Sequence, residues 1–120
     1  MIDISQAEQT ILSVLPKATV LNGEINTMGT FLVFERINVN ELAITDVDYV
    51  FALYVAISSR AKNKRLAYEP INDSLNALLT AYERARKIEV GNIKPHGIKG
   101  LIVYQIQLTV KGFEPDTAEY

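Results

Sequence analysis

His96 is the only histidine in the chain, set in the segment 94–97 (KPHG). An imidazole in such a loop could move a proton near neutral pH or bind a metal. A zinc site needs several N, S or O donors gathered in one place, yet the chain has no cysteine and no second histidine. Carboxylates would have to come from elsewhere, and none clusters around His96 in the sequence. Asp46 and Asp48 form an alternating pair, with Glu41 upstream; paired acids can do acid–base work or hold a hard cation. They stand where an apolar run begins, a position at which acids ordinarily keep a strand end soluble. Gly91, Gly97 and Gly100 follow neither a phosphate-binding loop nor a dinucleotide fingerprint, because no strand–glycine–helix order surrounds them. Ser58 and Ser59 lack the flanking glycines of a nucleophile elbow. The expectation is a protein with no catalytic residues, no cofactor and no metal.

One local concentration of charge stands out: Arg60, Lys62, Lys64 and Arg65, with Tyr68 close behind. Such a loop could meet phosphate or an acidic protein surface, and a tyrosine beside it could anchor an interface. The bland alternative is a solvated connection between two elements. A net charge of −2 gives no global field to attract nucleic acid, so specific nucleic-acid binding is not expected and the loop is taken as a candidate assembly interface.

The elements that must carry these residues are legible from periodicity. Ile4, Ala7, Ile11, Leu12 and Leu15 recur at helical spacing. Asp3 can cap that helix with Gln6 in capping-box register, and Pro16 stops it. Residues 18–25 suggest a short irregular strand interrupted by Asn22-Gly23. Residues 30–39 read as a strand apolar on both faces at its start. Residues 46–59 show the clearest period of two: Val47, Tyr49, Phe51, Leu53, Val55 and Ile57 share one face and the more mixed set from Asp48 to Ser58 the other. After Pro70, a first-turn residue, the stripe Ile71, Leu75, Leu78, Leu79, Tyr82 and Ala85 predicts a second helix. Residues 90–100 read as a loop, and 101–110 as the last strand, with Ile102, Tyr104, Ile106, Leu108 and Val110 on one face. The expected fold is α+β, a two-layer sandwich in order α-β-β-β-α-β. Two helices would cover one face of a mainly antiparallel sheet of about four strands. One domain over 1–112 and a mobile acidic tail over 113–120 complete the plan. The N-terminus lacks the cationic and apolar regions of a signal peptide, and the most apolar window, 47–57, is too short to span a bilayer. No membrane role is expected, and the setting read from this is the cytoplasm.

With this layout, four passages resemble the tail terminator (tail completion) family of long-tailed phages, especially its Mu-like group. They are the opening helix over 4–16 with its leucine–proline end; 30–36 (TFLVFER); 49–56 (YVFALYVA), followed by the basic loop and 71–83 (INDSLNALLTAYE); and 100–110 (GLIVYQIQLTV). The resemblance covers nearly the whole chain as a pattern of elements and contains no diagnostic motif. It implies a structural virion protein, encoded by a phage or a prophage. Such a protein assembles with itself into a ring, typically hexameric, caps the tail-tube protein and prepares the tube for head joining through a neck or head-completion protein. Its place would be the virion tail, and the host cytoplasm during assembly. A head–tail connector of similar fold is the alternative, and a small monomeric regulatory or nucleic-acid-binding domain using the basic loop is a further one.

Overall fold

A computed structural model describes residues 3–39, 47–58, 68–85, 88–98 and 101–112. Its first element is helix α1, Ile4–Val14, closed at its start by the expected capping box: Asp3 Oδ1 accepts from the Gln6 N–H and Gln6 Oε1 from the Asp3 N–H, both at 2.8 Å. Strands β1 (Thr19–Val20), β2 (Gly29–Val39) and β3 (Val47–Ser58) follow, then helix α2 (Tyr68–Ala85) and strands β4 (Ile88–Ile98) and β5 (Leu101–Lys111). Together the strands form one five-stranded sheet in the order β1-β2-β3-β5-β4. All neighbours are antiparallel except β1, which runs parallel to β2 through Thr19↔Phe31 and Val20↔Leu32.

This is the expected α+β two-layer sandwich with one strand more than the sequence suggested. The extra strand is β4, which replaces the loop expected over 90–100. Its glycines and proline do not prevent pairing because it is an edge strand. Gly91 and Asn92 together oppose Gln107 in a bulge, where the register slips between Val90 and Ile93. Pro95 lies opposite Tyr104, and its missing N–H is harmless if it faces away from β5. Ladder alternation puts it there. The Leu21 N–H donates to the Leu32 carbonyl at 3.0 Å, so Leu32 points out toward β1. Counting alternately across Leu53 and Ile106 turns Ile93, Pro95 and Gly97 toward the outer edge.

Both helices pack on one face. Ala7 and Ile11 of α1 and Ile71 and Leu78 of α2 join Leu32, Tyr49, Phe51, Leu53, Ile106, Leu108 and Val110 in the main core. This is the face assigned to β3 by its period of two. Among the described residues the opposite face carries no helix. A small second cluster covers its lower end, where Ile25 packs on Ala56 and Val103 with Leu21, Phe31 and Leu101 around it.

Candidate functional site

The helix-free face is where polar side chains gather. Tyr54, mid-strand on β3, has Gln105 of β5 beside it and Phe31 of β2 on its other flank. Gln105 Nε2 donates both to the Tyr54 hydroxyl oxygen at 3.2 Å and to Glu35 Oε1 at 3.1 Å. Glu35 in turn receives Arg36 Nη1 on its other oxygen at 3.2 Å. The reason Glu35 can reach across is local: it is the extra residue of a second bulge, between the pairs Phe34↔Phe51 and Arg36↔Val50. On the far side of Tyr54 the His96 ring lies with its centroid 5.1 Å away, tilted by 59°.

Burial, then the Glu35 charge, raise the Tyr54 pKa above its ordinary value, against the opposing effect of the Gln105 hydrogen bond. The phenol is therefore held in its neutral, proton-donating form. An amide and a neutral phenol are hydrogen-bonding groups and not a nucleophile with its base. Beside them lies a shallow cleft of about 350 Å³ between the Leu21–Ile25 turn, Val33 and the Tyr54–His96 pair. A smaller one of about 160 Å³ runs over Glu35, Arg36, Lys94 and Gln107.

At the other end of the same face, Lys111 bridges two acids. Its ammonium sits 3.2 Å from Asp48 Oδ1 and 3.8 Å from Glu89 Oε1. The contact aligned as a hydrogen bond is the one to Asp48 Oδ2 at 3.4 Å; the buried Oδ1 is held by charge alone. Asp48 thus has a structural partner. His96 is on strand β4, not in a loop, level with Val103 and Ala56. Eight residues of β3 separate Ala56 from Asp48, roughly 26 Å at the rise of an extended strand. No site joins His96 to Asp48, and Asp46 lies outside the described residues. Among the described residues no three His, Cys, Asp or Glu side chains come together as metal ligands, and no helix is long and apolar enough to cross a membrane.

Of the candidate interface loop, Arg60, Lys62, Lys64 and Arg65 lie outside the described residues. Tyr68 is the first residue of α2 and half exposed. The polar array at Glu35, Tyr54 and Gln105 was not singled out from the sequence. In β2 the signal was only partial: apolar residues take both parities from Phe31 to Phe34 and odd positions alone from Ile37, so the bulge at Glu35 shows only once β3 is paired beside it. No protein-family model matches the chain, and no curated protein does either.

Proposed function

We propose that this chain is a structural, non-enzymatic subunit that assembles with copies of itself into a ring, in the manner of a phage tail terminator. The ring would cap the tail tube and present a surface for head joining. One observation carries the assembly half: among the described residues, helices cover only one face of the sheet. Its opposite face holds hydrogen-bonding and charged side chains: Tyr54, Gln105, Glu35, Arg36 and Lys94. A hydrogen-bonded polar face of this kind suits the polar rim of a protein–protein interface. The tail half rests on the resemblance of the four sequence passages.

Light scattering across a concentration series, with negative-stain electron microscopy of the same fractions, tests the reading. Closed rings are expected. A chain that stays monomeric at every concentration, and does not bind purified tail tubes, would refute it.

A further inference from the structure

Two strand edges of the sheet have stretches with which no described strand pairs. On β2, the parallel pairing of β1 stops at Leu32, which leaves Val33–Val39 open on the outer side. On β4, no described strand pairs with the outer side. The large apolar side chains exposed on these two edges are Ile37 (43%), Val39 (58%) and Ile93 (40%), and all three lie on the helix-bearing face. Arg36, Asn38, Lys94 and His96 occupy the opposite face of the same edges. The edges are therefore amphipathic in the same sense. An edge of this kind recruits another strand unless something covers it.

We infer that the β4 edge of one copy pairs antiparallel with the free part of β2 in the next, in one register, so that the sheets run on from copy to copy. This rests on the ring reading above, and a second copy is the occupant because the two edges match in strand direction, in the face that is apolar and in the outward turn of their peptide groups. Strand directions alternate from β2 through β3 and β5 to β4, so repeating the subunit sideways sets β4 antiparallel to the neighbour's β2. Ladder alternation turns the peptide groups of Ile37 and Val39 outward, as it does those of Ile93 and Pro95. Face and hydrogen bonding therefore agree: Ile37 must meet Ile93, Pro95 or Gly97.

Charge and space choose among these. Ile37 opposite Ile93 would set Lys94 against Arg36, two cations face to face. It would also drive the end of β4 into the place β1 holds beside Phe31 and Leu32. Ile37 opposite Gly97 would leave Ile93 beyond Val39 and uncovered. Ile37 opposite Pro95 avoids both faults. Val39 then covers Ile93, Lys94 faces Asn38, His96 faces Arg36, and Ile98 ends level with Val33, just clear of β1. Val39 and Ile93 exchange two peptide hydrogen bonds, and the Ile37 N–H donates to the Pro95 carbonyl. Only the Ile37 carbonyl loses a donor to the proline.

Asn38 and Lys94 would form a non-hydrogen-bonded pair with Cα atoms about 4.5 Å apart, within disulfide range. The chain has no cysteine of its own, so the test is clean. The double variant N38C/K94C, mildly oxidised, should give a ladder of covalent oligomers on a non-reducing gel. N38C and K94C should each remain uncrosslinked alone and give a single dimer band when mixed. Dimers from N38C alone, or a ladder from N38C/E89C in place of N38C/K94C, would overturn the pairing. Electron microscopy of the same samples separates the two claims. Rings without a ladder sink the edge pairing and leave the ring; a ladder without rings does the reverse; neither result leaves either standing. As a second handle, V39K should weaken assembly roughly tenfold or more, since a lysine on an edge strand opposes strand addition, while circular dichroism shows an unchanged fold.

Discussion

Gly97, on β4, and Gly112, just past the end of β5, both have φ outside the left-handed region, yet alanine should have opposite effects at the two. Gly112 is buried where β5 ends against β3, and its N–H donates to the Val47 carbonyl at 2.7 Å. A Cβ there would stand 2.5 Å from Val47 Cγ2 and 2.9 Å from the Val47 carbonyl oxygen, with Tyr49 Cε2 at 3.1 Å. The valine methyl can rotate away; the carbonyl is backbone and can move only with the strand. Overpacking of this kind costs about 1–3 kcal/mol, and weakening the terminal hydrogen bond adds about 0.5–1.5 kcal/mol. Restricting the unfolded chain returns about 0.4–1 kcal/mol. The net loss for Gly112→Ala is therefore about 1–3 kcal/mol, a fall in Tm of roughly 4–12 °C for a domain of this size. At Gly97 a Cβ meets nothing within 4 Å, so only the unfolded-state benefit remains and Gly97→Ala should stabilise by about 0.4–1 kcal/mol. Urea unfolding followed by circular dichroism measures both. Equal effects at the two sites, or a neutral Gly112→Ala, would refute the packing argument.

Asp3→Ala should cost about 0.5–2 kcal/mol, because it removes both 2.8 Å bonds of the α1 capping box; a loss within error of zero in denaturant titration would show that α1 does not depend on its cap. Leu53→Ala, at a fully buried position in the main core, should cost about 2–5 kcal/mol in the same assay, and a value below about 1 kcal/mol would mean that α1 and α2 do not close over that position. Tyr54 should ionise late. Its pKa is raised in the fold, so its contribution to stability is complete below the unfolded tyrosine value of about 10 and is lost as pH rises through the higher folded value. Absorbance titration of the phenolates should show Tyr54→Phe removing a late-ionising tyrosine and Glu35→Gln moving that midpoint down. Loss of an early-ionising tyrosine instead would contradict the burial and charge assigned to it.

How far the fold was legible depended on whether alternation ran unbroken. β3 keeps one parity from Val47 to Val55, and every residue the pattern assigned to its apolar face over that stretch is buried in the main core. α1 announced itself by spacing and by its cap. β4 was misread because apolar residues there are even at Ile88 and Val90 and odd at Ile93, with Pro95 and Gly97 following. Without the partner strand, a parity switch across Gly91-Asn92 looks like loss of pattern. With β5 beside it, the same switch is a bulge that keeps Val90 and Ile93 on one face. The Glu35, Tyr54 and Gln105 array was hidden for a related reason: its members are 19 and 51 residues apart and meet only through the pairing of β2, β3 and β5.

The two bulges also decide what the sheet edges present. Had β2 kept its early parity, Ile37 and Val39 would stand on the helix-free face and Arg36 and Asn38 on the helix side, beyond reach of the polar array. The extra residue at Glu35 reverses this. It sends a carboxylate to Gln105 and places the two exposed apolar side chains on the side where the core lies. The bulge at Gly91 and Asn92 does the same for Ile93 on the opposite edge. Bulges and proline are common means of blunting an edge against unwanted pairing. Here both bulges lie just before the exposed apolar residues in the chain, and Pro95 removes a single donor from the outer side of β4. In the inferred pairing, four residues of each edge meet, and each of these stretches is apolar on one face and polar on the other. Short amphipathic stretches of matching sense limit the registers available, and a lone strand from an unrelated chain would have to reproduce both the apolar pattern and the charge spacing to compete. In the inferred pairing, specificity would follow from the placement of the bulges.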